Sequence, residues 1–235
     1  MFRVLAVSAL AALFCVPLAL ADTPKPVEPF NGKDLKGWKF KDEKKSKWEW
    51  YPGSPLLDEA KPSEFRQGVA KGGDTPSMVN SKSGSCDIYT EAKFGDVLVE
   101  LEFMIPKGSN SGVYLMGEYE VQILDSFGKE KVGPGDMGGI YNTAAPKVNA
   151  CKKPGEWQKF VIDFQAPRFE GEKKTANAKF IKVTLNDQVI HENVEMKSQT
   201  PGGLTGKEVA AGPLMFQGDH GPVAFRSIKI TPRGK

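Results

Sequence analysis

Cysteine and histidine are scarce: the 235-residue chain holds three of the first and two of the second. That scarcity excludes a disulfide-stapled scaffold, and the absence of His-x-His or H-E-x-x-H spacing leaves no dedicated metal motif. An excess of one charge is also missing, with 32 Lys and Arg against 29 Asp and Glu, so no field draws in nucleic acid or an anionic membrane. The Lys-rich stretch from Lys41 to Lys47 reads as a solvated loop. No G-x-x-x-x-G-K run ending in Ser or Thr occurs, and the Gly-rich segment 128–139 lacks a strand-to-helix fingerprint, so nucleotide binding has no support. Amphipathic helix patterns are absent as well.

Only the N-terminus carries a long apolar run. Arg3, the apolar stretch Val4 to Leu20 and the small-x-small triplet Ala19-Leu20-Ala21 form a secretory signal pattern over 1–21, which places the mature chain outside the cytoplasm, secreted or periplasmic. Phe14 before Cys15 is too large for a lipoprotein signal. Residues 22–29 form a Pro-rich tether, and one domain over 30–235 is expected, with no membrane span after cleavage. Cys86 and Cys151 are then the two mature cysteines, far apart in sequence, and no framework pattern pairs them.

Short strands separated by turn signals fill the domain. Val97, Val99, Leu101, Phe103 and Ile105 alternate with polar or smaller partners and predict one strand with a core face. Phe160, Ile162 and Phe164 predict another within 158–164, and 180–185 with 188–194 read as a hairpin turned by Asn186-Asp187. Closing strands are expected at 212–217 and 223–230, around the turn Gly218-Asp219-His220-Gly221-Pro222. The fold class is all-β, an antiparallel sandwich or jelly roll.

The run from Ser109 to Gly128 joins this patterning to acidic chemistry. Tyr119, Val121 and Ile123 share one face of a strand, which leaves Glu120 and Gln122 together on the other, with Asp125 at the strand end. A half-solvated antiparallel strand produces the same alternation. Glu and Gln are nevertheless poor strand formers, and two in succession on one face give up local preference for something.

Six segments in order carry a resemblance: 30–38 (Phe-Asn-Gly-Lys-Asp-Leu-Lys-Gly-Trp), 110–115 (Asn-Ser-Gly-Val-Tyr-Leu), 119–126 (Tyr-Glu-Val-Gln-Ile-Leu-Asp-Ser), 138–141 (Gly-Gly-Ile-Tyr), 154–157 (Pro-Gly-Glu-Trp) and 218–228 (Gly-Asp-His-Gly-Pro-Val-Ala-Phe-Arg-Ser-Ile). Together they resemble the 3-keto-disaccharide hydrolase domain, also described as a 3-keto-glucoside 1,2-lyase and 3-keto-2-hydroxy-glucal hydratase. The resemblance implies a concanavalin-like jelly roll and a carbohydrate substrate already oxidised to a ketone at C3. It also implies cleavage by C2 proton abstraction, elimination of the C1 substituent and hydration. The chain departs from the pattern at Met116 and Glu118, where many members carry Arg.

Such chemistry needs a base near C2, a group that stabilises the enolate at O3 and an acid for the departing oxygen. Glu120 is the first candidate for base or metal ligand, and Asp125 the second, unless Asp125 only caps its own turn. His220, beside Asp219, is the candidate imidazole, whereas His191 lies in an ordinary hairpin strand. Arg226 could polarise O3 or pair with Glu120. Asn110, Gln122, Tyr141 and Gln217 are the candidate hydrogen-bond partners for sugar hydroxyls, while Trp38 and Trp157 are read as core. No cofactor is required by the pattern; a divalent metal is an option if Glu120, Asp125, Asp219 and His220 converge. A carbohydrate-binding module that has lost the chemistry, and behind it an adhesion domain, are the competing readings.

Overall fold

The computed structural model describes residues 25–68 and 74–233; the signal segment expected over 1–21 and the first residues of the expected tether lie outside them. In chain order the strands are β1 (Trp38–Phe40), β2 (Trp48–Tyr51), β3 (Leu56–Leu57), β4 (Phe65–Arg66), β5 (Ser77–Asn80), β6 (Ile88–Thr90), β7 (Val97–Met104), β8 (Asn110–Leu115), β9 (Tyr119–Leu124), β10 (Gln158–Gln165), β11 (Arg168–Glu170), β12 (Lys173–Ala176), β13 (Ala178–Leu185), β14 (Gln188–Met196), β15 (Met215–Phe216) and β16 (Val223–Pro232). Among the described residues the helical content is a 3-10 turn, Glu43–Lys45, inside the expected Lys-rich loop, where Asp42 caps the first turn. No helix among them is long and apolar enough to cross a membrane.

Two antiparallel sheets face each other as an all-β jelly-roll sandwich. One runs β1-β6-β15-β8-β9 and the other β14-β13-β10-β7-β16-β5-β2, with β3-β4 and β11-β12 as separate small hairpins. The C-terminal strands complete both sheets: β15 slots between β6 and β8, and β16 between β5 and β7. This interleaving carries residues 217–220 from the far end of the sequence to the side of β8, where Gln217 N–H donates to Gly112 O at 3.0 Å.

The alternation read in the sequence is what buries the core. Val97, Val99, Leu101 and Phe103 of β7 are closed to solvent, whereas Leu98, Glu100 and Glu102 are half-buried on the outside. Aromatic contacts bridge the sheets, with Phe216 stacked on Phe225 at 3.8 Å and Tyr119 tilted over Phe164 at 5.4 Å, while Trp38 stacks on Phe216 at 5.2 Å within one sheet. Asn186 and Asp187 both adopt positive φ (51° and 65°), the backbone that a two-residue hairpin turn demands, so β13 and β14 pair as the sequence predicts. Of the expected strand at 212–217, Met215–Phe216 forms a strand and Gly212 makes a single bridge to Phe94. Cys86 and Cys151 are both free thiols.

One element departs from its expected environment. Strand β9 is buried on both faces, not half-solvated, because two segments cover its polar side. Residues 138–141 run along its edge, with Gln122 N–H donating to Gly139 O (2.8 Å) and Tyr141 N–H to Glu120 O (3.2 Å). The 200–206 loop covers the other end, and Thr200 Oγ1 accepts from Glu120 N–H at 3.1 Å.

Candidate active site

Glu120 and Tyr114 are direct partners in the β8–β9 register, so both point to the outer side of the sheet. Gly112 and Asn110 lie on that same side of β8, two and four residues before Tyr114. The Glu120 side chain folds across Gly112: a Cβ there would meet Glu120 Oε1 at 2.2 Å and Cδ at 2.9 Å. The glycine in Asn-Ser-Gly thus makes room for the carboxylate. Gly112→Ala is expected to expel Glu120 from its place, cutting activity far more than its stability cost of about 1–3 kcal/mol for an overfilled site; comparing kcat/KM with the thermal midpoint checks it.

A cavity of about 220 Å³ opens above these strands. Asn110, Tyr114, Glu120, Gln122, Tyr141, Gln217 and His220 line it, together with Pro201 and Gly202 of the covering loop. Gln122 Nε2 donates to Asn110 Oδ1 at 2.8 Å, which orients both amides. Gln217 Nε2 reaches the Tyr114 hydroxyl at 3.5 Å, while its Oε1 is buried with no partner among the described residues, an acceptor left for a ligand hydroxyl. His220 Nδ1 lies 2.6 Å from Asp219 Oδ1, so the carboxylate fixes the ring with Nδ1 as donor and Nε2 as the basic nitrogen. A larger hollow of about 600 Å³ lies beside Phe30, Pro76 and Ile228, but its carboxylate, Glu28, is exposed and it holds no histidine.

Burial dominates the electrostatics of Glu120 and Tyr114. Glu120 is only 2% exposed. Burial pushes its carboxyl from the ordinary 4.5 up to about 8; the Tyr114 hydroxyl opposes the shift, and the negative charges of Asp87 and Asp219 add to it. Burial first, and then Glu120, raise the Tyr114 phenol far above its usual range. At neutral pH the site therefore presents a protonated carboxyl, able to give a proton, in one cavity with an imidazole held by a carboxylate.

The structure brings together six of the eight residues singled out by sequence and separates two. Asp125 does not line the cavity and caps a turn: its Oδ2 accepts from Gly108 N–H (2.8 Å) and its Oδ1 from Phe127 N–H (3.4 Å). Arg226 follows the core residue Phe225 on β16 and so projects from the outer face of the other sheet. There Nε donates to Glu102 Oε2 at 2.9 Å and the guanidinium stacks 4.0 Å from the Trp157 ring. Arg226→Ala is expected to cost about 1–2 kcal/mol in chemical denaturation while leaving ligand binding in the cavity unchanged.

Among the described residues no cluster of three or more His, Cys, Asp or Glu side chains is arranged to hold a metal. With Asp125 engaged in its turn, the donor set considered for a divalent ion does not assemble. His191 is buried and bonded to Gly138 O at 2.7 Å, a structural role. Trp38 is core, and Trp157 donates to Ser54 Oγ at 3.1 Å under Arg226. Met116 and Glu118, the positions that depart from the resemblance, line none of this cavity.

One cavity residue and one covering loop have no counterpart among the residues singled out by sequence. Tyr114 reads there as one member of an apolar alternation, although its place opposite Glu120 follows from counting back across the Met116-Gly117 turn. The covering loop at 200–206 gives no sequence signal beyond Pro201-Gly202-Gly203.

The site is a polar, acid-bearing cavity on one sheet of a jelly-roll sandwich, and the chain's similarities are to glycosyl hydrolase-like proteins. The profile of the 3-keto-alpha-glucoside-1,2-lyase-like domain matches residues 25–231, and the chain belongs to that family. A crystal structure of a candidate glycosyl hydrolase from Parabacteroides distasonis is 26% identical, covers 88% of this chain and 83% of its own, and superposes with a TM-score of 0.65. A second candidate glycosyl hydrolase from the same organism shares the fold at 19% identity and a TM-score of 0.60, covering 89% of this chain and 94% of its own. No curated protein matches the chain.

Proposed function

We propose that this protein is an exported enzyme that cleaves 3-keto-glycosides by elimination and hydration. The observation that carries the reading is the buried Glu120, raised to about 8, in one cavity with an imidazole aligned by Asp219. The C3 ketone acidifies the C2 hydrogen. His220 Nε2 removes that proton, and the electron pair enters the C2–C3 bond as O3 takes enolate character. Collapse of the enolate forms the C1–C2 double bond and breaks the bond from C1 to the leaving oxygen, which takes the Glu120 proton. Water then adds at C1 and a proton returns to C2, so the sum is hydrolysis.

This order assigns Glu120 as acid, the reverse of the base role that its position in the sequence implies, because a carboxyl protonated at neutral pH is a donor. Tyr114 and Gln217 supply neutral donors near the enolate oxygen, and Asn110, Gln122 and Tyr141 hold ring hydroxyls. The cavity of about 220 Å³ suits a single sugar ring with the C1 substituent at its mouth. The binding-module reading draws on the missing Arg at Met116, a position that stands outside the cavity.

Incubation of the purified protein with a 3-keto-glucoside in deuterated water tests the reading. Deuterium at C2 together with release of the C1 substituent supports it. Saturable binding of unoxidised glycans with neither event would replace it with a binding module.

A further inference from the structure

Glu118 stands two residues before Glu120, is 2% exposed, and directs its carboxylate away from the cavity. Met116 and Gly117, with φ of 57° and 71°, turn the chain between β8 and β9, and Glu118 N–H closes the turn on Leu115 O at 3.0 Å. From there its side chain takes hold of the covering loop. Oε1 accepts from Thr205 N–H (2.8 Å) and from Thr205 Oγ1 (2.7 Å), and Oε2 accepts from Gly206 N–H (3.1 Å). The backbone adds to the grip: Glu118 O accepts from Thr200 N–H (2.9 Å) and Thr200 Oγ1 (3.0 Å), and Gly117 O from Leu204 N–H (2.7 Å). Gly203 passes so close that a Cβ on it would lie 2.2 Å from Glu118 Oε2.

The same loop forms the wall of the cavity. Pro201 and Gly202 line it, the Tyr114 hydroxyl donates to Pro201 O at 3.5 Å, and a Cβ on Gly202 would meet that hydroxyl at 3.0 Å. Thr200 links the two functions, since its Oγ1 donates to Glu118 O while accepting from Glu120 N–H. A buried carboxylate with three donors fixed on one loop is a strong restraint, because charge-assisted bonds are stronger than neutral ones and their loss leaves buried groups unsatisfied.

We infer that Glu118 is a positioning residue: its carboxylate clamps the 200–206 loop over the cavity and so keeps water away from Glu120 and Tyr114. The inference rests on reading Glu120 as the working acid, but its first consequence is physical and needs no substrate. If the loop lifts, Glu120 hydrates and its carboxyl returns toward the ordinary range. The charged and titratable groups around Glu120 that must be followed with it are Tyr114 on β8, Asp87 before β6, and Asp219 and His220 after β15.

The test is a side-chain carbon NMR titration of Glu120 in the free protein, assigned by loss of its signal in Glu120→Gln. Three variants are compared: Glu118→Ala, which removes the clamp; Glu118→Gln, which removes the charge but keeps an oxygen for Thr205; and Gly203→Ala, which pushes the loop off without altering any charge. Glu118→Ala and Gly203→Ala are each expected to lower the Glu120 midpoint by at least one pH unit and to speed hydrogen exchange at Thr205 and Gly206. Glu118→Gln is expected to fall between them and the parent. In turnover, kcat should fall more than KM rises. An unchanged Glu120 midpoint in folded Glu118→Ala and Gly203→Ala overturns the inference. A shift in both Glu118 variants with none in Gly203→Ala also overturns it, by assigning the effect to charge alone. Failure of the parent to process a 3-keto-glucoside would instead strike the enzyme reading and leave this titration result intact.

Discussion

Glu120→Gln is expected to lower kcat/KM for a 3-keto-glucoside on the order of 1,000-fold, the size of a lost general acid, while the protein becomes more stable in alkaline solution. The amide keeps the shape and the contacts with Tyr114 and Gly112 but has no proton to give to a leaving oxygen. The stability change follows from the sign of the shift. Glu120 has its carboxyl raised in the fold from 4.5 to about 8, so its contribution is fully present below the unfolded value and is lost as pH rises through the folded one. Ionising a buried carboxyl costs on the order of 3–5 kcal/mol over that span, and Gln is exempt. Denaturation midpoints should therefore converge in acid below about 4.5, diverge as pH rises toward about 8, and keep the full difference in favour of the variant above that. Equal pH dependence in the two proteins would show that Glu120 is hydrated and ordinary.

His220→Ala is expected to lose about 100- to 10,000-fold in the rate of C2 deuterium exchange, with little change in folding stability. Its side chain is 53% exposed, and its bond to Asp219 lies at the surface, so removal leaves no buried group unpaired. Added imidazole should restore part of the exchange, which a merely structural histidine would not show. Asp219→Asn should cost less than His220→Ala, because the ring keeps its place at the cavity edge but loses the carboxylate that aligns it. If His220→Ala exchanged the C2 proton at the parental rate, the base would have to be sought elsewhere in the cavity.

Much of the sandwich was legible because strand periodicity is a local property. Val97 to Phe103 and Phe160 to Phe164 alternate every second residue, and burial follows that alternation in the structure. Glu120 and Gln122 were legible for the same reason: two poor strand formers share a face, and the structure places both in the cavity. Arg226 was not, because its position depends on which sheet receives each C-terminal strand. With β15 in one sheet and β16 in the other, Gln217 and His220 reach the cavity while Arg226, a few residues later, is half-buried on the outer face of the other sheet against Glu102 and Trp157. Asp125 illustrates a different limit. Its turn-capping and catalytic readings use the same residue pattern, and only the hydrogen bonds from Gly108 and Phe127 separate them.

Gly112 shows what a single sequence withholds altogether. In the chain it looks like a weak point in a strand, the usual place for a bulge or a close approach. Its reason is the carboxylate of a residue eight positions later, lying where its side chain would be. The proton inventory was equally hidden, since a Glu on a half-solvated strand is a base and the same Glu beneath two covering segments is an acid.

The pH dependence of kcat/KM tests that last point most directly, because it reports the essential ionisations of the free enzyme. A limb that falls as pH rises through about 8, and that is absent from the residual activity of Glu120→Gln, is the result expected if Glu120 delivers a proton. Activity that instead climbs through the same pH would contradict the account, for it would mean that the reaction waits for Glu120 to ionise.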